Sequence, residues 1–385
     1  GTGRGRHTDM GRTRPRPRQA AGCKQKGEAN RVMVHVLIEE SYARNNRTGL
    51  ILEGIYSVTR KKRISVKVYT DETEIEGEPR IVVLICASLR WAEEMIAHFN
   101  ARGIHPLIFG YQYLDTIYQY SSVMLTYTKS TYMLTKYLLT VSAGKTAFLG
   151  YNKDSLPDCL KFAGAEYAAE EHGVQCLPFY NSGDTVACIE EFVRNADGVK
   201  NIVCSNDVIA LLLRCRHPDL LKDRQMCSCS GLRVSEYISF SHPTMLVNYY
   251  KVGVQLADLY LFLEKHAEIS PTHMMLDMDV CIGEEDVSEF SPGGLLHSTH
   301  SVDFYGDPNV REIEALENML LKCDEMDLSI LKRMVQNIPY ERIAELENVA
   351  LNTVKYRVHA MLKNAETCSK KKLLSLIAKY GLEFL

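Results

Sequence analysis

The sequence predicts an α/β protein of two similar lobes followed by a small all-helical domain at the C-terminal end. Three observations carry this. From Arg31 to Cys229, short apolar runs alternate with amphipathic stretches, the mark of strand–helix units building parallel sheets. The alternation falls into two series, which implies two lobes with a cleft between them. Beyond about residue 324 the strand pattern stops and only short stretches of helical period remain.

The totals agree with a protein that buries a sizeable core. The chain has 385 residues, 46% hydrophobic and 24% charged, an ordinary soluble composition. No uncharged apolar run is long enough to span a membrane. The basic N-terminal residues lack the apolar stretch of a secretory signal, so a cytoplasmic protein is expected. The net charge of −3 hides an uneven spread. Residues 1–30 carry 8 basic and 2 acidic side chains, residues 325–385 carry 10 and 7, and the remainder 27 and 39. An acidic body with a basic end suits a protein that meets nucleic acid through its last domain. The 12 cysteines are scattered with no CxxC, which points to reduced, buried thiols. Cys227 and Cys229 alternate along a predicted strand and point the same way.

Residues 1–30 are rich in Gly, Arg and Pro without apolar period, so disorder is expected, as a basic arm or an artefact. The first series then runs strand 32–38, helix 48–60, strand 64–69, strand 80–87, helix 92–101, strand 106–109, and strand 122–125 leading into helix 130–139. The second runs strand 146–151, helix 157–171, strand 175–178, helix 186–195, strand 201–204, helix 207–214 and strand 225–229. Residues 278–282 close the lobes. Gly283–Asp307 is polar and rich in Gly, Pro, Ser and His, an interdomain linker in which His297 and His300 are solvated. Val310–Lys322 is amphipathic, with Ile313, Leu316, Met319 and Leu320 on one side. It is either a dimer helix or a helix packed on the last domain.

Residues 340–364 read as two short helices joined by a tight turn. Pro339 suits the start of the first, and Ile343 and Ala344 face inward. Asn348 falls at the turn, where Asn tolerates left-handed backbone. Val349, Val354, Val358 and Met361 bury one face of the second helix. Its other face carries Asn352, Thr353, Lys355, Tyr356, Arg357 and His359, side chains that reach phosphates and base edges. Lys355, Tyr356 and His359 are expected at base edges, with Thr353 and Arg357 on phosphates or on the domain's own frame.

Ile343-Ala344-Glu345, Asn352-Thr353-Val354-Lys355, Met361-Leu362-Lys363 and Ser369-Lys370-Lys371 together resemble the LuxR-type helix-turn-helix over about residues 324–385. Glu347 stands where that family has leucine, and Ala350 where it has a serine cap. A second resemblance covers 31–283. Leu160 to Gly173, Ser205-Asn206-Asp207-Val208-Ile209-Ala210 and Pro243-Thr244-Met245-Leu246-Val247 look like the effector domain of lac-repressor-family regulators, with Gly253, Ala257 and Leu261 on the helix that follows. This resemblance implies a type I periplasmic-binding-protein fold. In that family the DNA reader lies at the N-terminus. It also implies a helix between the second and third strands, for which Asp71–Pro79 is too short and too acidic; a trimmed lobe is expected.

The same resemblance implies a ligand cleft. The family's Asn-Asp pair matches Asn206 and Asp207, and its Arg matches Lys161. Its two carboxylates match Thr126, next to Tyr127, and Arg233. Two carboxylates are lost and a cation gained, with Lys161 expected to add to a positive field, so an anionic sugar derivative is expected. Alternatively, Arg233 pairs with an internal acid such as Glu236, or the cleft has lost binding altogether. No nucleophile elbow, phosphate loop or metal-ligand spacing stands out, and Gly144-Lys145-Thr146 lacks the upstream glycine of a P-loop. The expected function is a ligand-responsive, DNA-binding transcriptional regulator acting as a homodimer, with no enzyme activity, cofactor or metal. The alternative is a small-molecule sensor without direct DNA control.

Overall fold

The computed structural model describes Gly1 and residues 33–40, 43, 46–86, 89–110, 117–229, 231–237, 242–268, 271–282 and 307–383. Residues 2–30 of the predicted tail and 283–306 of the linker, with His297 and His300, lie outside the described residues. The first lobe is a six-stranded sheet in the order β11-β5-β4-β3-β1-β2, all parallel. Its strands are β1 (Met33–Ile38), β2 (Ser65–Tyr69), β3 (Ile81–Ile85), β4 (His105–Phe109), β5 (Ser121–Leu125) and β11 (His273–Leu276). The second lobe has the same plan in the order β12-β10-β9-β8-β6-β7. It comprises β6 (Lys145–Tyr151), β7 (Cys176–Tyr180), β8 (Val199–Cys204), β9 (Gln225–Ser228), β10 (Thr244–Leu246) and β12 (Asp279–Cys281), with β12 antiparallel to β10.

The apolar runs buried both faces of each sheet, as parallel strands require. Side chains alternate across the first sheet: Val36 and Val83 face α1 (Asn46–Lys61) and α7 (Tyr249–Lys265), while Leu37 and Leu84 face α2 (Leu89–Ala101). In the second, Phe148 and Val203 face α3 (Tyr127–Val141) and α4 (Leu156–Glu171). Leu149 and Ile202 face α5 (Thr185–Arg194) and α6 (Asp207–Arg216). Cys227 and Cys229 are both fully buried in the same cluster as Phe148, on one face as predicted.

Two glycine-lined crossings set these helices. A Cβ on Gly253 of α7 would overlap the Ile51 carbonyl of α1, and one on Gly54 the Tyr250 carbonyl. Gly164 of α4 lies equally close to the Thr128 carbonyl of α3. Between β2 and β3 stands only the 3-10 turn Glu72–Glu74, capped by Asp71, so this lobe is trimmed as expected. The chain passes between lobes just before α3, just before α7 and between β11 and β12, each time from the carboxyl end of the strand it leaves.

Five helices close the chain: α8 (Pro308–Leu320), α9 (Glu325–Val335), α10 (Tyr340–Leu346), α11 (Leu351–Asn364) and α12 (Lys370–Lys379). Of the two roles open to α8, the structure shows inward packing. Val310, Ile313, Leu316, Met319 and Leu320 are all fully buried. They share one apolar cluster with Val354, Val358 and Leu373 of the helical module and with Leu232 and Val234 of the second lobe. No helix among the described residues is long and apolar enough to cross a membrane.

Candidate effector cleft and nucleic-acid interface

The six residues expected in the cleft all lie at or beside the carboxyl ends of β5, β8 and β9, but they are largely engaged with the protein itself. Lys161 is 1% exposed; its ammonium donates to Asp158 Oδ1 at 3.1 Å and to the Ser205 carbonyl at 2.9 Å. With its charge matched by a fully buried carboxylate, Lys161 adds no net positive field, which corrects that part of the sequence expectation. Asn206 caps α6, accepting from Ile209 N–H at 3.1 Å. Asp207 accepts from Ser228 Oγ, from Thr244 Oγ1 at 3.3 Å, from Leu232 N–H at 2.8 Å and from Ser235 Oγ at 2.9 Å. Thr126 donates to Asp277 at 3.1 Å, and Asp277 pairs with Lys129 at 2.7 Å. Tyr127 is buried at the start of α3, its ring facing the Lys161 ammonium.

Arg233 opens the 3-10 turn Arg233–Tyr237 that follows β9. Its backbone meets an acid that the sequence reading did not single out. Glu317 of α8 accepts Arg233 N–H at 2.9 Å and Val234 N–H at 2.8 Å. The side chain of Glu236 lies outside the described residues. Arg47 is a second residue missed. It sits in the first turn of α1, fully buried, with its guanidinium 5.3 Å from the centre of the Tyr249 ring. Burial holds the Glu314 carboxyl above its ordinary range, with the Arg47 charge opposing that shift.

Burial also pushes the Glu317 carboxyl up, to about 7, with Asp207 adding to the rise. The two backbone N–H groups and Arg47 act against it. A carboxyl raised in the folded state binds protons more tightly there than in the unfolded chain. Its contribution to stability is therefore complete below the unfolded value near 4.5 and is lost as pH rises through about 7. Relative to Glu317→Gln, the wild-type chain should lose on the order of 3 kcal/mol between those limits. Urea unfolding of both proteins from pH 4.5 to 8 checks this; parallel pH profiles would contradict it.

The helical module has the two short helices and tight turn that the sequence suggested, and the structure gives a role to one of the two residues that depart from the resembled pattern. Asn348 takes the left-handed conformation at φ 54° in the turn between α10 and α11. Glu347, where the related pattern has leucine, accepts from Ser329 Oγ at 2.7 Å and from Arg333 Nε at 2.5 Å, so a polar clamp replaces an apolar contact. Ala350 gives α11 no side-chain cap. Arg357 belongs to the frame: Nη1 donates to both Asp324 oxygens at 2.9 Å and to Asp327 at 2.8 Å, tying α11 to the first turn of α9. Val354, Val358 and Met361 are buried, Thr353 is half-buried, and Asn352, Lys355, Tyr356 and His359 stand exposed on the opposite face. Tyr356 is 76% exposed.

Solved structures decide the architecture. The transcriptional regulator CelR in complex with cellobiose aligns at a TM-score of 0.54 and 13% identity, over 65% of this chain and 83% of that one. The two lobes have the type I periplasmic-binding-protein fold. Transcription regulator CcpA of Lactococcus lactis aligns on the same fold at 0.52 and 16% identity, covering 65% of this chain and 98% of its own. A LacI family transcriptional regulator from Silicibacter pomeroyi does so at 0.51 and 18%, covering 65% and 100%. A LacI family regulator from Enterococcus faecium, solved with bound ribose, aligns at 0.52 and 12%, covering 65% and 96%. No protein-family model matches the chain, and no curated protein sequence matches it.

Proposed function

We propose that the protein is a ligand-responsive transcriptional regulator whose type I lobes sense a small molecule and whose C-terminal LuxR-type helix-turn-helix reads DNA. The observation that carries this reading is α11, with Val354, Val358 and Met361 buried on one side and Asn352, Lys355, Tyr356 and His359 exposed on the other. A helix so divided, following a tight turn, fits the major groove. The regulators of the same fold support the sensing half. The protein acts without catalysis and in the cytoplasm. Because a single reader covers one half-site, it binds as a homodimer. With the apolar side of α8 covered within the chain, the dimer forms through a face of the lobes.

Duplexes selected from random DNA test the reading. Lys355→Ala should weaken binding to the selected duplex by about 1–3 kcal/mol and relax preference at one position. Sedimentation of the complex should give two chains per duplex. Failure to retain any duplex would leave a sensor without direct DNA control, and unchanged affinity in Lys355→Ala would remove that contact.

For the effector we propose an anionic sugar derivative held between the lobes, with Arg233 as anchor and Thr126, Tyr127, Lys161, Asn206 and Asp207 shaping the walls. An Arg guanidinium can bind a carboxylate or phosphate through two parallel hydrogen bonds. The cellobiose and ribose held by the two regulators above make neutral sugars the competing class. In a thermal-shift screen, sugar acids or sugar phosphates should raise the melting temperature and Arg233→Ala should abolish the rise. Stabilisation by neutral sugars alone would overturn the anionic assignment.

A further inference from the structure

Three consecutive amides, those of Leu232, Arg233 and Val234, lie between two carboxylates from distant parts of the chain. Asp207, at the start of α6, takes Leu232 N–H at 2.8 Å and the Ser235 hydroxyl at 2.9 Å. Glu317, on α8, takes Arg233 N–H at 2.9 Å and Val234 N–H at 2.8 Å. Both carboxylates are buried. Helix α8 is in turn fixed to the end of the helical module: Lys379 pairs with Glu312 at 2.5 Å, and the Tyr380 hydroxyl donates to Glu312 at 2.8 Å. The apolar side of α8 packs in one cluster with Val358 and Leu373. A continuous set of hydrogen bonds and packed side chains therefore runs from the carboxyl end of β8 to the reader.

We infer that Glu317 is a positioning residue that passes the state of the interlobe cleft to the helix-turn-helix module by fixing α8 to the turn after β9. The inference rests on the proposed function for what the module reads, while the mechanical link is a separate claim. Its physical basis is that neither partner can let go cheaply. A buried carboxylate stripped of two N–H donors has no water to replace them, and the two amides would be orphaned as well. A ligand that turns the 232–235 segment, or draws Asp207 away from it, must therefore carry α8 along. Simple apolar packing would allow the turn to slide over the helix; paired hydrogen bonds to successive amides do not.

Hydrogen–deuterium exchange on the full-length chain, without DNA or ligand, tests the link as a double-substitution cycle. Glu317→Leu should speed exchange of the Arg233 and Val234 amides about tenfold or more, as expected for two amides left without their buried acceptor. Asp207→Asn should speed exchange across Ile313–Leu320 in the wild-type background and add nothing once Glu317→Leu is present. Glu317→Gln, which keeps one acceptor oxygen, should lie between, and it carries the cycle alone if the leucine variant does not fold. The proposal is overturned if Asp207→Asn leaves the α8 amides unchanged, or if the two substitutions simply add. Loss of DNA binding would sink the proposed function and leave this coupling intact; additive exchange would do the reverse.

Discussion

Asp158→Ala is expected to destabilise the protein by about 3–5 kcal/mol, the cost of leaving a buried charge without its partner. Lys161 is 1% exposed and Asp158 fully buried, at 3.1 Å from each other on successive turns of α4. The Ser205 carbonyl, at 2.9 Å, takes one proton of the ammonium but none of its charge. Asp158 Oδ2 also accepts the Asn152 amide at 3.4 Å, so the substitution loosens the end of β6 too. Replacing both members, Asp158→Ala with Lys161→Met, should recover most of the loss, since no buried charge is then stranded. Guanidinium unfolding of the three proteins reads this directly. A loss below about 1 kcal/mol for Asp158→Ala would mean that water reaches the pair.

Gly253→Ala is expected to be about as damaging, by crowding instead of by charge. The added methyl has the Ile51 carbonyl in its place, and the reciprocal site, Gly54, faces the Tyr250 carbonyl. Backbone cannot rotate away as a side chain can, so α1 and α7 must move apart and uncover Ile51, Ile55, Val252 and Leu256, all fully buried. Overpacking of this kind costs about 1–3 kcal/mol, and more where backbone must move. The α7 turn also carries Tyr249, on whose ring Arg47 lies, so the change should reach that pair. Thermal unfolding should show a melting point lowered by several degrees. A wild-type value for Gly253→Ala would show that the crossing has room for a methyl group.

Much of this molecule was legible from its residues because parallel strands buried on both faces leave continuous apolar runs. Val34–Ile38 and Ile81–Ile85 announce themselves in that way. β11 does not. It lies at the edge of its sheet, with Met275 half exposed, so His-Met-Met-Leu shows no run and no clean alternation. The left-handed turn at Asn348 could be read because so few residue types tolerate it. The cleft was harder. Lys161 was visible as a cation, but its partner is an ordinary acid three residues earlier on the same helix. Glu317 reads in sequence as a charge on the wet side of an amphipathic helix. Only the arrival of the 232–235 segment from another part of the chain makes it a buried acceptor, and that encounter is written in no local pattern. Arg47, in the first turn of a helix, was hidden for the same reason.

The crossovers between the lobes bear on how the chain comes to be made. The last strand of the first sheet, His273–Leu276, joins β5 across 151 residues of sequence, with Ser122 Oγ and His273 Nδ1 2.8 Å apart. During synthesis the ribosome must therefore emit nearly the whole second lobe before the first sheet can be closed. Until then β5, buried on both sides once folded, offers a bare apolar edge to any other nascent chain. Contacts of such long range also slow folding. The first sheet is therefore completed only by chain that follows nearly the whole second lobe.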